Sequence, residues 1–180
     1  MKPEFLKRLG AAALGLLLLA PGMMPGAAMA QSADTVSGPA TAVGPDIILV
    51  GKTRVILAGI DAPEANQTCD VTGGKLWNCG DSAAAVLGQT LNQGDVTCTL
   101  TGNPDPLGRR NGTCKVGDED VADVLVKQGL ALPYAKDPES KNYTADSEAA
   151  KAAKQGIFAD GVSFQNPWEF RLKHNHSPLK

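Results

Sequence analysis

The sequence predicts an α+β fold: a small closed β-barrel of about five short strands carrying three helices. Three observations lead there. The strand-like apolar runs are short and separated by glycine-rich turns, one helical stretch is inserted among them and two follow, and four cysteines sit at spacings suited to cross-links.

Taken in order, Lys2, Lys7 and Arg8 precede an apolar run from Leu9 to Ala20, and Ala28-Met29-Ala30 forms an A-x-A site. This predicts a secretory signal peptide over residues 1–30, too short and too broken by glycine and proline for a good membrane span. Residues 31–40 are small and polar, a flexible lead-in. The domain is expected over residues 41–160 and a tail over 161–180. Thr41 to Val50 and Thr53 to Ile60 read as strands joined by Gly51-Lys52, the first bent at Gly44-Pro45-Asp46. Asn66 to Gly80 reads as a loop. Asp81-Ser82 opens a helix that continues to Leu91. Asp95 to Thr101 and Arg109 to Val116 are paired strands. Val121, Val124, Leu125 and Leu130 mark a second helix ended by Gly129, and Tyr143 to Gln155 a third, stopped by Gly156.

The chain holds 17 basic and 19 acidic residues; without residues 1–30 it keeps 14 and 18, a net of −4. Proteins that grip polyanions over a long track are usually basic, so this balance argues against tight, extended nucleic-acid binding. An even number of cysteines beyond a signal peptide points to two disulfides. Zinc is the rival, but no C-x-x-C spacing occurs, and His174 and His176 both lie in the tail. The midpoint of Cys98 and Cys114 falls at Pro106, inside a turn-rich stretch, so a hairpin there would pair those two cysteines. Cys69 and Cys79 follow by elimination.

Candidate chemistry concentrates in Gly59-Ile60-Asp61-Ala62-Pro63-Glu64, directly after the apolar run Val55 to Ala58. Pro63 fixes its own φ and holds Ala62 extended, so two carboxylates are presented in a rigid frame at a strand end. Carboxylate oxygens suit hard cations such as Ca²⁺, and a carboxylate can position water for hydrolysis. The plainer reading is a turn bearing surface acids.

Four stretches in order carry a family resemblance: Gly59 to Glu64 (G-[IV]-D-x-P-E), Asp105 to Arg109 (D-x-x-G-R), Val126 to Ala131 (V-x-x-G-L-A), and a last helix with Tyr143, Glu148 and Gly156-Ile157-Phe158. With them the chain resembles the thermonuclease, or staphylococcal-nuclease-like, family, and its cysteines with Trp77-Asn78-Cys79-Gly80 resemble the exported bacterial branch. The resemblance implies a five-stranded OB-type barrel with three helices, and cleavage of DNA and RNA with Ca²⁺. It implies Asp46, Asp61 and the Ala62 carbonyl as metal ligands, Glu64 as the residue handling the attacking water, and Arg109 as the phosphate clamp.

Two departures bear on activity. The family's D-G-D-T turn is here Gly44-Pro45-Asp46-Ile47, and its other catalytic arginine, five residues before the aspartate of D-x-P-E, is Ile56. Losing such a transition-state donor costs about 10²–10³ in rate. Arg54 would share a strand face with position 56, but one pleat repeat away. The expectation is therefore an exported, Ca²⁺-dependent phosphodiesterase of weakened activity on single-stranded DNA or RNA, periplasmic or secreted, with no membrane association after signal cleavage. The alternative is a catalytically inactive OB-fold module of the cell envelope that binds a polymer or protein partner. Tyr134 and Tyr143 are candidates for base stacking or for packing, and Glu148 for pairing with Lys151 or Lys154.

Overall fold

Alternation of apolar and polar side chains sets the sheet. In the computed structural model, which describes residues 34–174, Val96, Cys98 and Leu100 point inward while Thr97, Thr99 and Thr101 face solvent. In chain order the strands are β1 (Asp34–Gly38), β2 (Ala40–Ala42), β3 (Ile47–Val50), β4 (Thr53–Leu57), β5 (Ile60–Asp61), β6 (Cys69–Val71), β7 (Lys75–Trp77), β8 (Val96–Thr101), β9 (Arg109–Val116), β10 (Glu119–Asp120), β11 (Leu132–Pro133) and β12 (Val162–Ser163). The helices are α1 (Cys79–Leu91), α2 (Val121–Lys127), α3 (Thr144–Ala152) and α4 (Pro167–Lys173), with a 3-10 segment over Pro138–Tyr143 before α3.

The main sheet runs β1-β8-β9-β4-β3-β2, with β10 added to β9, and curls into a half-barrel. All its pairs are antiparallel except β4 with β9, which brings Ile56 level with Asn111 and Arg54 level with Arg109. Cys98 and Cys114 face each other across β8 and β9 and are joined, Cα to Cα 4.0 Å. The second disulfide, Cys69–Cys79, ties the β6–β7 hairpin to the start of α1.

The α+β class and the two disulfides are as the sequence indicates, whereas the element count is larger. Residues 34–38, expected as part of a flexible lead-in, form β1 along β8, because backbone pairing needs no apolar side chains. The loop over 66–80 contains the β6–β7 hairpin, whose residues are mostly exposed and show no buried alternation. The tail contributes β12, which pairs with β6, and α4 as a fourth helix. Asn166 caps α4 by accepting the Trp168 N–H, with Pro167 in its first turn. The expected signal peptide and His176 lie outside the described residues.

One core joins Ile48, Val50, Val55, Leu57 and Val96 of the sheet to Ala83 and Leu87 of α1 and Leu125 and Val126 of α2. A smaller core gathers Ile157, Phe158, Phe164 and Trp77 around the Cys69–Cys79 bridge, and so holds the C-terminal segment against the hairpin. Glycine is required where backbones touch. A Cβ on Gly80 would overlap the Glu64 carbonyl, so only glycine lets the start of α1 rest directly on the acid-bearing loop.

Candidate active-site corner

The strand end after β4 is built to hold its acids still. Leu57 donates its N–H to the Asp46 carbonyl at 2.9 Å, and Ala62 donates to the Asp46 carboxylate at 3.2 Å. Asp61 lies in β5, level with Leu132 of β11, and both Asp46 and Asp61 are buried. Past Pro63 the chain folds back, and the Gln67 N–H reaches the Glu64 carbonyl at 2.7 Å. The buried Gln67 side chain accepts the Glu64 N–H at 3.1 Å and donates to the Gln165 carbonyl at 2.6 Å, fastening this loop to the segment that leads into α4.

That segment delivers an arginine. Arg171 is 3% exposed, and its guanidinium donates to both Asp61 oxygens at 2.8 and 3.1 Å and to Glu64 at 2.6 Å. Burial alone favours loss of the Arg171 proton, but the bonds and charges of Asp61 and Glu64 hold its pKa above the ordinary value. The planar fork suits two carboxylates at once, which an ammonium could not match. Its buried Nε has no hydrogen-bond partner among the described residues, and the guanidinium carbon lies 5.5 Å from the centre of the Trp168 ring.

Asp46, Asp61, Ala62 and Glu64 thus come together as one corner, around Arg171. Arg109 is held differently. Asp105 accepts the N–H groups of Leu107 and Arg109 and pairs with the Arg109 Nε at 2.7 Å. Burial by itself raises the Asp105 pKa, yet these backbone donors and the guanidinium together lower it. Position 56 is filled by a buried isoleucine, and Arg54 points to solvent.

The remaining candidates divide between packing and surface. Tyr143 is buried and donates its hydroxyl to Asp120, the N-cap of α2, at 3.1 Å. Glu148 is exposed, and Lys154 pairs with Asp160 rather than with it. His174 is exposed and stacks on Phe170 at 4.1 Å. Tyr134 meets Trp168 at 6.1 Å in a cleft beside Ile56. Sequence reasoning missed Arg171, Gln67, Trp168 and Lys136. The Asn166-Pro167 pair is a helix-start signal and could have revealed α4, but no local pattern tells which acids its arginine will meet.

Calcium needs six to eight oxygens at about 2.3–2.6 Å. Here both oxygens of Asp61 and one of Glu64 are bonded to a buried guanidinium, so a cation on the same atoms would sit against a like charge. Among the described residues no group of three or more acids, histidines or cysteines is placed to hold a metal ion. The arrangement does not fit the ion.

Comparison with known proteins agrees with the motifs. Residues 54–160 match the family model described as staphylococcal nuclease homologue. The chain is also 33% identical over 132 residues to the succinoglycan biosynthesis protein ExoI of Rhizobium meliloti (strain 1021), covering 72% of this chain and 68% of the relative.

Proposed function

Because the chain belongs to the staphylococcal nuclease homologue family, we propose that it is a nuclease-type barrel that has exchanged hydrolysis for binding, with Arg171 in the charge-balancing place of the cation. The observation that carries this reading is the buried bridge from Arg171 to Asp61 and Glu64. With one oxygen held by a guanidinium, the Glu64 carboxylate is less able to take a proton from water. The altered turn before Ile47 and the apolar Ile56 support the same conclusion, since each removes a group that metal-assisted phosphate cleavage uses. A relative named for succinoglycan biosynthesis points to a glycan rather than a nucleic acid. The two disulfides support an oxidising compartment, periplasmic or extracellular, and no described helix is long and apolar enough to cross a membrane.

The competing reading, weak Ca²⁺-dependent cleavage of single-stranded DNA or RNA, is favoured by retention of Asp46, Asp61, Glu64 and Arg109. Incubating the oxidised protein with denatured DNA, in Ca²⁺ or chelator, separates the two. No cleavage is expected, and none from Glu64→Ala. Ca²⁺-dependent cleavage that Glu64→Ala abolishes would overturn the binding reading.

A further inference from the structure

Beside the arginine-bridged corner, the sheet opens into a cleft of about 430 Å³. That lies within the range of small-ligand sites, about 300–1,000 Å³. Its floor is Ile56, Leu57 and Ile60, one wall is Tyr134 with Trp168, and Asn111 stands level with Ile56 on the neighbouring strand. The aromatic wall exists because α4 is docked, so the helix that carries Arg171 into the corner also completes this cleft.

The chemistry of the lining limits what can enter. Asp137 and Glu139 contribute two carboxylates, against the single ammonium of Lys136. The Lys136 Nζ lies 3.5 Å over the Trp168 ring, so its charge is already engaged by the ring face. Asp137 accepts the N–H groups of Gly59 and Glu139, and Glu139 accepts from the Asn142 amide. A phosphate or carboxylate entering here would meet more negative than positive charge above an apolar floor. Neutral hydroxyl groups, by contrast, can donate to the Glu139 carboxylate. The Asn111 side chain, half-buried and making no hydrogen bond to another described residue, offers both a donor and an acceptor.

Ring geometry narrows the class further. Tyr134 and Trp168 are tilted 43° to each other, forming a shallow V rather than a parallel slot. A flat base stacks on one such face at a time, whereas a puckered sugar ring presents C–H bonds that can touch both. Barrels of this general type bind oligosaccharides as well as oligonucleotides.

We infer that the cleft over Ile56 binds a neutral oligosaccharide, one sugar ring lying against Tyr134 and displacing the Lys136 ammonium from the Trp168 face, with its hydroxyls on Asn111 and Glu139. This rests on the binding-module reading of the neighbouring corner. The test is calorimetric titration of the full oxidised protein with neutral cello-, laminari- and malto-hexaose, beside hexathymidylate and an oligogalacturonate as anionic controls. At least one neutral hexaose binds. Asn111→Ala, on a strand whose fold is pinned by the disulfide, weakens it about tenfold or more, and Ile56→Arg, which puts a cation into the floor, weakens it further. Trp168→Ala gives the same loss, with circular dichroism reporting whether the fold is kept. Binding of an anionic control alone, binding of nothing in the panel, or neutral binding that Asn111→Ala and Ile56→Arg leave untouched would each overturn the inference. Hexathymidylate incubated separately with the protein in Ca²⁺ reports on the corner: its cleavage overturns the proposed loss of hydrolysis whatever the sugars do.

Discussion

Two arginine–carboxylate pairings in this molecule look alike on paper and differ in kind. Arg109 meets Asp105 four residues away, in a turn whose side chains stay 14% and 20% exposed. Arg171 meets Asp61 across 110 residues, with both side chains at 4% exposure or less. The first is a local device: a turn whose acid caps its own backbone and catches the next cation in the chain. The second closes the fold, because α4 cannot leave without stripping buried Asp61 of its charge partner. Charge pairs near solvent contribute little, while breaking a buried one leaves the partner uncompensated.

The contrast is largest in stability. Arg171→Ala should destabilise the protein by about 3–5 kcal/mol, measured by urea unfolding with the disulfides intact. Arg171→Lys should recover part of this, since it restores the charge without the fork. A loss below about 1 kcal/mol would mean that water already reaches the corner, and the distinction between the two pairings would collapse.

An intermediate case sharpens the comparison. The Tyr143 hydroxyl is buried against Asp120, and burial first, then the Asp120 charge, raises its pKa above the ordinary value of 10.0. A raised folded-state pKa means that the neutral phenol is the stabilising form. Its contribution is complete below about pH 10 and is lost as pH rises from there through the folded value. Tyr143→Phe should cost about 1 kcal/mol at neutral pH and flatten the alkaline decline in unfolding free energy. An unchanged alkaline slope in the phenylalanine variant would assign that decline to other groups.

The smallest effect is expected at the hairpin. Asp105→Asn should change stability by about 0–1 kcal/mol, most of it removed by added salt. The lowered Asp105 pKa gives the opposite pH sign to Tyr143: its contribution is present above the ordinary carboxylate value and fades as acid takes pH through the folded one. A salt-insensitive loss of several kcal/mol would show that the hairpin pair is as essential as the buried one.

The site was legible in the sequence wherever its parts are neighbours. Asp61-Ala62-Pro63-Glu64 reads as a rigid acidic corner because proline and the preceding apolar run act over a few residues. Asp105 to Arg109 reads as a turn for the same reason. Asp46 was tied to Asp61 only through the family resemblance, and the structure joins it to this corner by the Ala62 N–H. The hairpin β6–β7 and strand β1 escaped notice because their side chains carry no buried alternation, and their backbones alone do the pairing.

By itself, then, the sequence determined the α+β class, the Cys98–Cys114 hairpin, the acidic corner and the absence of arginine at position 56. Those follow from short-range steric and solvation preferences that any strand, turn or helix expresses locally. Only the tertiary structure decided that the corner is filled by Arg171 and that Trp168 walls the cleft beside it. Burying a guanidinium requires acids that have already been withdrawn from water, and which acids those are depends on where β5, the Gln67 loop and α4 pack in space. No spacing within the chain records that meeting.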